Sequence, residues 1–154
     1  MNYKKILRQI KNRPRVHGYV CDKVETRISP IHGLGLFALK DIKKGEIVAV
    51  WGGSVATKKE IKKFNKDIGF NYALELCPGF YLVEKNKEEL DSSDFINHSC
   101  SPNCLIINKF VMITKRKIKK DEELTANFSN HKNTGMKFKC NCGSKNCKKE
   151  AYFN

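Results

Sequence analysis

Apolar residues along this chain come in short runs. From Tyr19 onward they form YVCDKV (19–24), GLFAL (35–39), EIVAVW (46–51), FNYALEL (70–76), FYLVE (80–84), CLIIN (104–108), FVMIT (110–114) and ELTANF (123–128), separated by Gly, Pro, Asn and Lys turns. Runs of this length and composition predict strands, and their close spacing predicts a mainly β domain of several small sheets. Two segments carry the helical period instead. Tyr3, Ile6, Leu7 and Ile10 predict a short basic amphipathic helix ending before Pro14, and TKKEIKKFNK (57–66) predicts an interior helix with Thr57 as its cap and Ile61 and Phe64 facing inward. Residues 105–113 predict a hairpin across Asn108-Lys109.

One pattern repeats. LKDIKKGEIVAV (39–50) and TKRKIKKDEELTAN (114–127) share the form basic-Ile-Lys-Lys-turn-Glu-strand. Two copies are too few for a solenoid, and they predict two similar strand-turn-strand corners.

With 154 residues and 40% hydrophobic content, the chain holds material for one sizeable core plus trimmings. Neither an apolar run long enough to span a bilayer nor the apolar centre of a secretory signal is present, so the expectation is an intracellular protein of cytoplasm or nucleus with no membrane partner. The net charge of +14, concentrated in blocks such as Lys4–Arg15 and Lys115–Lys120, makes nucleic acid a possible partner, although aromatic residues are not interleaved with those blocks as a stacking platform requires. The single acidic cluster, Glu84, Glu88, Glu89, Asp91 and Asp94, is a candidate groove for a basic substrate; the alternative is a solvated loop.

Seven cysteines, three of them in CNCGSKNC, suit a metal site in a reducing compartment better than a disulfide framework. Cys140, Cys142 and Cys147 can place three thiolates around one ion; a structural zinc wants four ligands, and Cys100 and Cys104 in NHSCSPNC are the two candidates for the fourth. The loop DFINHSCSPNC (94–104) is dense in polar side chains between apolar flanks, which makes it either a site or a satisfied buried turn. In HGLGLFA, Gly33 and Gly35 let a ligand or another strand approach the backbone around Leu34, without the third glycine of a dinucleotide fingerprint.

The order of these pieces is the specific signal. HGLGLFA, a strand ending in WGG, FNYALEL, NHSCSPNC, EELTANF and CNCGSKNC together resemble the SET-domain protein lysine methyltransferases with post-SET cysteines, over about residues 22 to 150. The resemblance implies a β-clip-like SET fold of several small sheets with a C-terminal pseudoknot and a zinc-binding post-SET segment. It divides the chain into a basic, helical extension (1–21), a SET domain (22–130) and a post-SET segment (131–154). It also implies S-adenosylmethionine held by Gly33, Leu34, Gly35, Tyr72, Asn97 and His98, with Phe138 covering the adenine, or Tyr152 or Phe153 in its place. Structural zinc is then held by Cys100, Cys140, Cys142 and Cys147, the resemblance selecting Cys100 over Cys104. The substrate it implies is a lysine-bearing protein, such as a histone or another basic chromosomal or ribosomal protein.

The implied reaction is attack of a neutral lysine amine on a sulfonium methyl group inside a narrow channel from which water is excluded. Tyr72 matches a channel tyrosine of the family, and Trp51 stands at a wall position where many members have tyrosine. ELTANF departs from the usual E-L-T-x-D-Y: Phe128 occupies the place of the catalytic tyrosine. Losing one preorganised hydroxyl is worth roughly 2.7–4 kcal/mol, about 10²–10³ in rate. Three readings follow: an active lysine methyltransferase, a SET module that binds cofactor or a lysine-bearing segment without transferring methyl, and a basic zinc-bearing nucleic-acid-binding protein.

Overall fold

The computed structural model describes residues 3–11, 17–68, 73–129 and 137–152. Among these residues thirteen short strands form small sheets, with two α-helices and one 3-10 turn. The first sheet runs β1 (Tyr19–Val20), β4 (Ile47–Val50), β10 (Val111–Thr114), β9 (Cys104–Ile107); the second runs β2 (Val24–Ile28), β3 (Leu34–Ala38), β11 (Glu123–Ala126), β8 (Asn97–His98). A third sheet orders β5 (Ser54–Thr57), β7 (Phe80–Val83) and β6 (Ala73–Cys77), and β12 (Lys137–Lys139) pairs with β13 (Glu150–Tyr152). Most pairs are antiparallel, as short connections dictate. The exception is β8 against β11, which is parallel and aligns Thr125 with Asn97 and Ala126 with His98. Segments far apart in sequence thereby meet at the polar loop.

The core lies between the first two sheets. Leu36, Ile42, Val48, Met112, Ile118 and Leu124 are wholly buried there, with Trp51 and Ile106 packed against them. Helix α1 (Tyr3–Lys11) lays Ile6 and Leu7 on Leu34, Leu90 and Phe95. Helix α2 (Lys58–Ile68) starts at Thr57, whose N–H and hydroxyl both donate to the Glu60 carboxylate at 2.8 and 2.7 Å, and it buries Ile61 against Ala56, Ala73 and Val83. The hairpin forms where expected, with Asn108 and Lys109 both at positive φ (48° and 67°), the conformation a tight turn between right-twisted strands requires.

The repeated corners face each other. Ile42 and Ile118 exchange backbone hydrogen bonds of 2.9 Å in both directions. Each corner turns through a left-handed residue, Gly45 (φ 84°) and Asp121 (φ 65°), and each closes on a glutamate: Glu46 accepts from the Lys43 N–H at 2.6 Å, Glu122 from the Lys119 N–H at 3.1 Å. Glu46 pairs with Lys23 and Glu122 with Arg116. The Gly45 N–H reaches the Thr114 carbonyl of the opposite corner at 2.9 Å, and the Asp121 N–H reaches that of Ala38 at 2.8 Å.

Two expectations are corrected. YVCDKV is not one strand, because the chain turns after Val20 and the run divides between β1 and β2. Nor is the acidic cluster a loop left wholly to solvent. Glu84 is buried, Asp91 accepts from the Ser93 N–H and hydroxyl at 2.6 and 2.7 Å, and Asp94 accepts from the Asp91 N–H at 2.7 Å, so these two carboxylates cap the 3-10 turn Ser92–Phe95.

Candidate functional site

The polar loop and the glycine loop are tied together by one side chain. The Asn97 amide nitrogen donates to the carbonyls of His32 (3.2 Å) and Leu34 (2.9 Å) and to the Glu123 carboxylate (2.8 Å). Asn97 can do this because β11 pairs with β3 through Glu123 and Leu124 and with β8 through Thr125 and Ala126, which brings β8 within reach of the start of β3. Glu123 also accepts from the Ser29 hydroxyl at 2.8 and 2.9 Å. A Cβ on Gly35 would displace that carboxylate, so the second glycine of the loop leaves room for Glu123 in its bonded position, whereas Gly33 is required by its own positive φ of 51°. The sequence points to Gly35 as a place of close approach; the group that approaches is a side chain of the same chain. Ser29, a single polar residue outside any motif, gives no signal in the sequence, and the ELTANF motif marks Glu123 without disclosing its tie to Asn97.

His98 is buried at 6% exposure. Its Nδ1 accepts from the Phe128 N–H at 3.3 Å, which requires the neutral ring, and burial together with the charge of Lys148 holds its pKa below the usual histidine value. Around it lies a line of rings. Trp51 and Phe128 meet edge to face with centroids 6.3 Å apart, His98 lies 6.5 Å from Phe128, and Phe138 stands at 80° to His98 at 5.5 Å. The Trp51 indole donates to the Ser93 carbonyl at 3.1 Å, which fixes the outer ring. Trp51 just after β4, Phe128 just after β11, His98 of β8 and Phe138 of β12 are thus brought together. Tyr72, the other expected channel residue, lies outside the described residues, as does Phe153.

Four cysteines converge at the end of this line. The sulfurs of Cys100, Cys140, Cys142 and Cys147 all lie within 4.8 Å of one another. Cys100 Sγ is 3.9 Å from Cys140 Sγ and 3.6 Å from His98 Nε2; the Cys100 N–H donates to Cys142 Sγ at 3.5 Å and the Lys148 N–H to Cys100 Sγ at 3.4 Å. Burial acts to raise the Cys142 thiol, but hydrogen bonds from the Ser144 hydroxyl, the Cys100 and Ser144 N–H groups and Cys140 outweigh it and bring it down to about 5. A thiolate held by N–H donors beside three further sulfurs is a donor set that suits tetrahedral zinc. Cys104 is outside the cluster: it is fully buried in the core, and burial pushes its thiol up to about 12.

Similarity to known proteins agrees with this arrangement. The SET domain family model matches residues 33–129. Relatives include Histone-lysine N-methyltransferase 2D of Homo sapiens, 31% identical over 79% of this chain and 2% of its own length. The Variant-silencing SET domain-containing protein of Plasmodium falciparum is 33% identical over 91% of this chain and 6% of its own, and the H3 lysine-4 specific histone-lysine N-methyltransferase of Schizosaccharomyces pombe is 33% identical over 78% and 14%. The chain spans only a small part of the length of the relatives it matches.

Proposed function

This chain belongs to the SET-domain family, and from that premise we propose that it is an S-adenosylmethionine-dependent protein lysine N-methyltransferase acting inside the cell on a histone or a similarly lysine-rich protein. The observation that carries the proposal is the continuous line from Trp51 through Phe128 and His98 to Phe138 and the four cysteines, built on the matched segment and the tail beside it. We assign residues 1–21 as a basic extension, 22–130 as the SET domain and 131–154 as a post-SET segment. No described helix is long and apolar enough to cross a membrane.

In this reading Asn97 shapes the 32–35 backbone that receives the cofactor, His98 holds the Phe128 backbone in place, and Phe138 covers the adenine. Aromatic faces suit a cationic sulfonium. When bound, the cofactor would supply a methyl group on positively charged sulfur to a neutral lysine nitrogen, the sulfur leaving as a neutral thioether and the methylated ammonium losing its proton to water outside the channel. The protein's work is to align the amine and keep its stem dry: Trp51 and Phe128 form an apolar wall, and Tyr72 supplies the hydroxyl that orients the amine. Cys100, Cys140, Cys142 and Cys147 would hold a structural zinc, and that cross-link would keep Phe138 against His98.

Phe128 favours a second reading. It is buried, carries no hydroxyl, and has its N–H bonded to His98, an arrangement equally suited to a module that holds a lysine-bearing segment without modifying it. Incubating the full chain with methyl-labelled S-adenosylmethionine and a lysate decides between the two. Label on protein lysine supports the enzyme; cofactor binding with no label on protein supports the module.

A further inference from the structure

A second group of metal-ligating side chains lies beside the Gly52-Gly53 pair that follows Trp51. One ring nitrogen of His17 and one carboxylate oxygen each of Glu84 and Glu89 lie within 4.8 Å of one another. The three come from separate places: His17 precedes β1, Glu84 follows β7, and Glu89 lies in the loop that leads to Asp91. Their approach is enforced by backbone. Gly18, at φ 70°, and Gly52 stack so closely that a Cβ on either would collide with the other's chain segment, and a Cβ on Gly52 would come 2.9 Å from the His17 Cβ. Gly53 is pressed likewise onto Val83, the residue before Glu84. His17 and Glu84 are therefore held on the two sides of the Trp51–Gly53 turn.

The cluster is short of positive charge. Glu84 is only 8% exposed, and its Oε2 is buried with no hydrogen-bond partner. Asp91 and Asp94 add negative charge nearby, and no ion pair among the described residues reaches Glu84, Glu89, Asp91 or Asp94. A buried carboxylate oxygen without a donor is the mark of a missing proton, water or ion. Burial and the neighbouring carboxylates push the Glu84 carboxyl up to about 9 and it hydrogen-bonds Glu89, so without metal the two share a proton, which an ion that also reaches the His17 ring would displace.

We propose that His17, Glu84 and Glu89 form a second metal site, separate from the cysteines, that takes a divalent transition-metal ion of the zinc or manganese type. One imidazole and two carboxylates match such ions, whereas magnesium and calcium prefer oxygen alone. Ligands about 2.0–2.2 Å from one ion sit roughly 3–3.5 Å apart. His17 and Glu89 are half-exposed and close the remaining distance by turning inward, while Glu84 stays fixed in the interior. Three protein ligands leave a position for water. The ion clamps the segment entering β1 to the 84–89 loop, behind the wall that Trp51 forms. None of this depends on the methyltransferase reading.

Cobalt(II) is the probe, because thiolate ligands give it an intense near-ultraviolet charge-transfer band and nitrogen and oxygen ligands do not. Metal-free full-length chain is titrated by equilibrium dialysis while that band is followed. The wild type takes up two ions, one with the band and one without; Glu84→Gln and, separately, the half-exposed Glu89→Gln lose the band-free ion and keep the other. Uptake of a single ion by the wild type overturns the proposal, and so does retention of both ions in Glu89→Gln.

Discussion

The paired corners and the C-terminal tail are both short, lysine-rich strand segments, yet they are held in opposite ways. At the corners Ile42 and Ile118 are wholly buried and bond each other directly, so apolar area and backbone pairing act together. In the tail, Cys140 and Ala151 are buried while most of residues 137–150 are exposed or half-exposed. Two short strands with so little apolar surface do not hold themselves against a domain. The difference teaches where a cross-link is needed: the corners fold by burial, and the tail depends on four sulfurs brought to one point.

The largest effect comes from breaking that point. Cys142→Ser, or removal of metal by a chelator, releases residues 137–152 while leaving the core folded. Structural zinc contributes about 10–16 kcal/mol in small zinc peptides, so loss of amide-exchange protection in the tail is complete, and protection at Met112 and Leu124 persists. The opposite break is Ile118→Ala, which lowers global stability by about 2–5 kcal/mol in urea unfolding and leaves zinc content unchanged. Cys104→Ser is intermediate: it places a hydroxyl in the apolar core at a cost of about 1–3 kcal/mol, with metal content again unchanged. The smallest is Gly45→Ala. Space for the methyl is open, so the cost is that of a left-handed alanine alone, about 1–2 kcal/mol, read as a shift in thermal midpoint.

The same contrast explains what the sequence discloses. Alternating apolar runs disclose most strands, and the Ile-Lys-Lys echo discloses the corners, because burial leaves a periodic trace. Val24–Ile28 and Ser54–Thr57 escape notice because Glu25, Arg27 and Ser54 interrupt the apolar run, although the register of neighbouring β3 and β7 makes both regular strands. At the candidate site, the cysteine spacing and the NHSC loop are visible as motifs. Ser29 is not, and the role of Glu123 within ELTANF is hidden too, since their part in holding Asn97 and Gly35 exists only after β3 and β11 have paired. His17 is invisible for the same reason: only the stacked glycines bring it to Glu84, some sixty-seven positions away.

Phe128 stands in the aromatic line between Trp51 and His98, and there the central claim is tested most directly. Purified wild type, Phe128→Tyr and Tyr72→Phe are each incubated with S-adenosylmethionine and a purified histone, and the product is read by intact-protein mass spectrometry. The account predicts methyl addition by the wild type, faster turnover or fewer methyl groups per lysine with Phe128→Tyr, and a loss of activity with Tyr72→Phe. No transfer by the wild type together with clear transfer by Phe128→Tyr would contradict it and leave a binding module in its place.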